Sequence, residues 1–223
     1  MIRTILFDLD GTLLDTAPDL ANALNTLLIE QGRPALPYES IRPVVSHGGR
    51  ALIETGFAMQ EGDPGFDDLR ERLLEIYRDT LSTRTRLFPG MEEVLAQLEA
   101  RRFNWGVVTN KPAWLTEPLL EDLHLAQRAA CIVSGDTTAN RKPHPEPMLY
   151  ACTKAGSQAS QCVYIGDAQR DIEAGRQAGM KTLAALYGYI STEDQPENWG
   201  ADASIENPLA ILEWLDAYNQ HRI

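Results

Sequence analysis

Short apolar runs alternate with stretches of helical periodicity along most of the chain. Thr4–Phe7, Trp105–Val108, Cys131–Val133, Val163–Ile165 and Thr182–Ala185 read as strands, most of them ending at Gly, Asp, Asn or Thr. Between them Glu92–Arg101, Trp114–Leu123, Glu146–Ala155 and Asp171–Ala178 carry helical spacing. Strands alternating with helices predict βαβ units and a buried parallel α/β sheet. Ligands of such sheets bind beyond the carboxyl ends of the strands, so the residues just after each strand are the ones to read for chemistry.

The alternation stops between Thr16 and Arg84. Ala17–Gln31 places Leu20, Ala23, Leu24, Leu27 and Leu28 on one helical face, and Asp67–Ser82 does the same with Leu69, Leu73, Leu74, Ile76, Tyr77 and Leu81. A shorter helix is expected over Ala51–Ala58. The pattern predicts a small helical unit, residues 16–85, inserted into a sheet domain of residues 1–15 and 86–223. Ser191–Gly200 is polar and reads as a surface loop before a last helix, Pro208–Tyr218.

Composition narrows the partners. The 223 residues are 43% hydrophobic and 23% charged, enough to bury a core and too apolar for disorder. Twenty basic against 32 acidic residues give a net charge of −12, which argues against nucleic acid and anionic lipid as partners. A local cluster of Lys and Arg can still hold an anionic small molecule. Three cysteines without a Cys-x-x-Cys, and no signal peptide or spanning segment, point to a reduced, cytoplasmic setting.

Four strand ends carry the candidate chemistry. The first is followed by Asp8, Leu9, Asp10, Gly11 and Thr12; the two acids project to the same side of an extended chain. Alone, such a pair is most often a turn or cap. A calcium loop fails on spacing, with Leu13 where Gly and Asp19 where Glu should stand. After the second strand come Thr109, Asn110 and Lys111, small polar donors suited to phosphate oxygens. Beyond the third, Arg141-Lys142-Pro143-His144-Pro145 holds a lysine in a rigid, non-helical segment. The fourth is followed by Asp167 and, one helical turn later, Asp171. Each alone has an ordinary structural explanation; four in order do not.

Clustered carboxylates are costly unless a cation joins them, and hard oxygen ligands suit Mg²⁺ paired with a phosphate. His47, His124, His144 and His221 show no zinc-ligand spacing. A carboxylate can attack phosphorus to form an aspartyl-phosphate, and a second acid can protonate the leaving oxygen and then activate water.

These motifs resemble the haloacid dehalogenase superfamily: FDLDGTLLDT its first motif, VVTNK its second, RKPHPEP its third and GDAQRD its fourth. The resemblance covers essentially the whole chain and implies a Rossmann-like core with a small helical cap. The second acid favours a phosphatase, because the dehalogenases of the family lack it. It further implies that Asp8 is nucleophile and Mg²⁺ ligand, and that Asp10 is acid/base and lends its carbonyl to the metal. Thr109 and Asn110 then bind phosphate, Lys142 neutralises charge and Asp167 completes the direct ligands. Asp171 binds metal through water or orients Lys142.

APDL, TNKP, KPHPEP and Tyr187-Gly188-Tyr189 resemble the phosphoglycolate phosphatase branch. SHGGR and YGYISTEDQPENWGAD are similar to bacterial enzymes that dephosphorylate N-acetylmuramic acid 6-phosphate. Both substrates carry a carboxylate, so Arg50 is expected to read it and His47 to meet a sugar hydroxyl. The expected partner is a small phosphorylated metabolite, acted on by a monomer or homodimer. Two rivals share the chemistry: a β-phosphoglucomutase-like mutase, and a receiver domain that keeps its phospho-aspartate as a signal.

Overall fold

The computed structural model describes residues 1–220, so His221 lies outside the described residues. Six parallel strands form the main sheet: β1 (Thr4–Phe7), β4 (Asn104–Val108), β5 (Cys131–Val133), β6 (Cys162–Gly166), β7 (Lys181–Ala185) and β8 (Ala203–Ile205). Their spatial order is β5-β4-β1-β6-β7-β8. The chain starts in the centre, walks outward through β4 and β5, then returns to the other side of β1 through β6. That is a doubly wound sheet, with its switch point between β1 and β6.

All four residues of β1 are buried, as expected for a strand covered on both faces. Ile5, Phe7, Val107 and Ile165 pack with Val94, Leu98, Leu119 and Ile211. These partners lie on α5 (Met91–Ala100), α6 (Ala113–Asp122) and α9 (Ala210–Gln220). Leu6, Val108, Val133 and Tyr164 face the opposite layer, α7 (Glu146–Lys154) and α8 (Gln169–Gln177), through Met148, Ala151 and Ala174. The period of two along each strand therefore sorts its side chains into two cores.

Between β1 and α5 the chain makes its helical excursion. It leaves through β2 (Leu14–Asp15) and returns through β3 (Arg86–Leu87), which pair antiparallel, Leu14 with Leu87 and Asp15 with Arg86. In between lie α1 (Ala17–Glu30), α2 (Tyr38–Ile41), a 3₁₀ segment Arg42–His47, α3 (Gly48–Phe57) and α4 (Phe66–Arg78). Helix α1 packs against both α3 and α4.

The buried carboxylate of Asp19, in the first turn of α1, pins the returning chain. It accepts the Arg84 and Thr85 amides at 2.9 and 2.8 Å and the Thr85 hydroxyl at 2.8 Å. Asp19→Ala would strand these donors, and a loss of about 3 kcal/mol in denaturant unfolding is expected.

The structure departs from the sequence reading at short elements. β2, β3, β8 and α2 are not anticipated: β2 and β3 are two residues each, α2 is a single turn, and β8 (Ala-Ser-Ile) lacks the unbroken apolar run that marks the other short strands. Helix α3 begins at Gly48 instead of Ala51, and α9 at Ala210 instead of Pro208. The three cysteines are free and buried, with Cys152 and Cys162 sulfurs 3.5 Å apart.

Candidate active site

Asp8 follows β1 and Asp167 follows β6, neighbouring strands in which Phe7 pairs with Ile165. The parallel register thus delivers both acids to one edge at the switch point. Gly11 (φ +84°) lets the loop after Asp10 press on Asp167: a Cβ there would lie 2.1 Å from its Oδ2. Gly188 covers the other side, where a Cβ would sit 2.3 Å from the Asp167 Cβ. Asp171, on α8, completes a buried triad whose ligand oxygens lie within 4.8 Å of one another.

Lys142 joins the triad. Its Nζ lies 2.8 Å from Asp8 Oδ1 and 2.7 Å from Asp171 Oδ1. It also donates to the Tyr164 hydroxyl at 2.8 Å, which in turn donates to the Val108 carbonyl at 2.6 Å. Asp171 Oδ2 accepts the Ala168 amide at 3.1 Å, so both its oxygens are engaged. Asp8 Oδ1 accepts the Leu9 amide at 2.7 Å. Asp8 Oδ2 has no protein partner, and no sealed side-chain oxygen among the described residues is unpartnered. Asp8 lines the cleft, so Oδ2 is its oxygen open to a ligand.

The electrostatics call for more positive charge. Burial, then Asp171, raise the Asp8 carboxyl to about 7 against the pull of Lys142, with Asp167 adding to the rise. Asp167 is pushed up to about 6 by burial and Asp171, despite bonds from Ser46 and Tyr189 that lower it. A carboxyl raised on folding holds a proton that the unfolded chain has lost. It therefore favours folding at acid pH, and that contribution fades as pH rises through the folded value. The metal-free protein is expected to lose stability between about pH 4 and 7 relative to Asp8→Asn. Thermal melts of both in chelator across that range check this; parallel curves would contradict it.

Asp10 is held by Thr16 and Lys111, which the sequence offers for other parts. Its Oδ1 accepts the Thr16 hydroxyl at 2.6 Å and Lys111 Nζ at 2.8 Å. Lys111 also donates to the Tyr77 hydroxyl of α4 at 3.1 Å and lies 4.5 Å from that ring's centre. Burial works against the Lys111 charge, but Asp10 and Tyr77 more than offset it and raise its pKa. Lys111 stands three positions past the end of β4, where the sequence reads it as a phosphate donor and the structure pairs it with Asp10. Thr109 Oγ1 accepts the Lys111 amide at 3.1 Å, at the cleft wall.

Asn110 also ties two loops together. Its side chain clamps the Lys142 backbone, donating to the carbonyl at 3.0 Å and accepting the amide at 3.1 Å. The side chain thus positions the lysine.

The helical unit closes over this edge. Ser46 Oγ donates to Asp167 Oδ2 at 2.6 Å, and Arg170 reaches the Ser46 carbonyl and lies 3.4 Å from His47 Nδ1. Arg170 sits between the two acids of GDAQRD, a position that signals a site residue only once the fold is known. His47 therefore faces an arginine, and its pKa is lowered by burial and by that charge. Arg50 is 59% exposed, with Nε on Glu54 at 2.8 Å and Nη1 on Glu61 at 2.7 Å. Its fork is occupied by its own helix and the following loop. Both residues still line the cleft, a cavity of about 1000 Å³ reaching Asp8 and Asp10.

The site is a doubly wound α/β sheet with a lysine-bridged acid cluster at its switch point, beneath a helical unit. The model of the haloacid dehalogenase-like hydrolase family matches residues 5–185, and the chain belongs to that family. It lies among the family's phosphatases. An N-acetylmuramic acid 6-phosphate phosphatase of Pseudomonas putida is 44% identical over 97% of each chain. A phosphoglycolate phosphatase of Xanthomonas campestris is 45% identical over 95% of each. Among solved structures, a predicted phosphoglycolate phosphatase from Haemophilus somnus superimposes with a TM-score of 0.84 at 27% identity, covering 96% of this chain and 98% of its own. Among the described residues no helix is long and apolar enough to cross a membrane.

Proposed function

We propose that the protein is a Mg²⁺-dependent phosphomonoesterase that works through an aspartyl-phosphate on Asp8, with a carboxylate-bearing organic phosphate as substrate. The observation that carries this is the Asp8 carboxylate. One oxygen is fixed by Lys142 and the Leu9 amide, and the other is open to a cleft that also holds Asp10.

The donor set fits a hard divalent cation: three buried carboxylates, two of them with raised pKa values, and no imidazole or thiolate in the cluster. Asp8, Asp167 and the Asp10 carbonyl would hold it, with Asp171 committed to Lys142. When bound, Mg²⁺ supplies charge neutralisation for the nucleophile and the phosphoryl oxygens.

In the first half-reaction Asp8 Oδ2 attacks phosphorus, the ester P–O bond breaks, and Asp10 gives its proton to the leaving oxygen. In the second, Asp10 takes a proton from water, whose oxygen attacks phosphorus and releases inorganic phosphate and the free Asp8 carboxylate. Thr109 and the Asn110 N–H hold the phosphoryl oxygens throughout, and Lys142, whose three N–H groups are taken by Asp8, Asp171 and Tyr164, offsets their charge from beside the nucleophile. Residues 16–85 serve as the cap, excluding bulk water through the Ser46 and Arg170 contacts. The names of the relatives make 2-phosphoglycolate and N-acetylmuramic acid 6-phosphate the two types to compare, in a cytoplasmic enzyme.

Phosphate release from both compounds, with and without chelator, tests the reading. Turnover that Mg²⁺ restores after chelation is expected. A stable phosphoprotein without turnover would point to a receiver-like role, and an isomerised sugar phosphate to a mutase.

A further inference from the structure

The cleft is larger than the chemistry alone requires. The helical unit already touches the sheet edge through Ser46 on Asp167, Arg170 on the Ser46 carbonyl and Tyr77 on Lys111. Yet about 1000 Å³ remain between them, at the top of the range for pockets that enclose drug-sized ligands. A two-carbon phosphate ester would leave most of that space to water. The volume calls for a substrate with a body.

The wall opposite the helical unit has the groups to hold such a body. It is built from the loops after β4 and β5. These are tied into one piece by the Asn110–Lys142 clamp, the Gly135 amide on the Lys111 carbonyl at 2.8 Å and the Ala113 amide on Asp136 at 2.9 Å. Trp114 stands on this wall at the start of α6, 42% exposed and lining the cleft. A large indole left open in a cavity is a stacking platform for the apolar face of a pyranose or a similar ring.

Arg141 lies on the same wall. The other cleft arginines are engaged: Arg50 with Glu54 and Glu61, Arg70 with Asp67, Arg170 with Ser46. Arg141 lines the cleft, and among the described residues its guanidinium has no hydrogen-bond or ion-pair partner. Its main chain is fixed by the clamped neighbour Lys142, so the fork is anchored at its root and free at its tip.

We propose that Trp114 and Arg141 are the specificity-determining pair of this enzyme, Trp114 stacking on a sugar-sized body and Arg141 reading an anionic group on it. The substrate class is then a phosphate ester of an acidic, ring-sized molecule, not a short-chain acid. This rests on the phosphatase reading above and assigns the carboxylate to Arg141 in place of Arg50.

Four phosphates separate the terms. Acetyl phosphate carries neither feature, 2-phosphoglycolate the acid alone, glucose 6-phosphate the ring alone, and N-acetylmuramic acid 6-phosphate both. The wild type should prefer the last by kcat/KM. Trp114→Ala should lower kcat/KM for both ring compounds about tenfold relative to acetyl phosphate. Arg141→Ala should lower it for the two acids by roughly tenfold to a hundredfold relative to glucose 6-phosphate, with Arg141→Lys in between. Both side chains are substantially exposed, so the variants should fold, and circular dichroism checks that. Losses equal across all four compounds, no loss, or a wild type that prefers 2-phosphoglycolate would overturn the proposal and leave the phosphatase reading standing. A wild type that releases phosphate from none of them, acetyl phosphate included, would overturn both.

Discussion

Asp8→Asn should lower kcat by roughly 10³-fold or more, a barrier increase of about 4 kcal/mol, with the fold intact. The amide keeps the shape of the carboxylate but has no nucleophilic oxygen to offer. Lys142 retains Asp171, so its position is held from one side. Burial and two neighbouring carboxylates already disfavour charge at this position, so the neutral amide relieves the triad and the variant should melt no lower than the parent in chelator. Phosphate release from acetyl phosphate and acid-quenched mass spectrometry of the protein check the claim together. The parent should show a phosphorylated peptide containing residue 8, and the variant none. A variant retaining about a tenth of the parental rate would have lost only about 1.4 kcal/mol, far too little for the attacking group.

The strand-end residues were legible because a parallel sheet leaves its strands no choice. Every strand sends its last residue to the same edge, so Asp8, Thr109 and Asp167 converge whatever their separation along the chain. Lys142 and Asp171 could be attached to that edge by their short distance from a strand end. Residues whose role depends on a contact between distant segments were not legible. Tyr164 sits inside β6 and reads as core, yet its hydroxyl links Lys142 to the Val108 carbonyl. Tyr77 reads as one more apolar position on α4, and only the closed helical unit brings it to Lys111. Ser46 stands inside SHGGR, but its bond to Asp167 spans 121 positions.

Asn110 and Arg50 read as ligand groups from what their side chains can offer, and in the structure both side chains also meet protein groups. Lys142 presents both a main-chain donor and an acceptor to Asn110, and a side-chain amide satisfies both at once. Glu54 lies one helical turn from Arg50, the spacing at which ion pairs form on a helix surface. The helical excursion as a whole was visible as a change of period, but β2 and β3 were not. Two residues each pair only because the chain leaves and re-enters the sheet domain side by side.

Lys142→Met tests whether the triad depends on a fixed cation. Methionine keeps length and apolar volume but leaves Asp8 and Asp171, buried and close together, with no positive partner. Turnover should fall about 10³-fold or more, since no group remains to neutralise the phosphoryl oxygens from this side. The stability change is the more telling readout. Removing one partner of a buried ion pair costs about 3–5 kcal/mol when the other stays charged, and the orphaned carboxyls escape part of that by taking up protons. The variant should therefore approach the parent in melting temperature near pH 5 and fall away from it near pH 8, a range set by the already raised values at Asp8 and Asp167. The proposed Mg²⁺ on Asp8 and Asp167 would bring positive charge to the same cluster, so it should stabilise the variant more than the parent at pH 8. A melting curve indifferent to both pH and Mg²⁺ would mean that the acids are solvated well enough to manage without Lys142. The cluster would then lose its claim to be a metal and phosphate site.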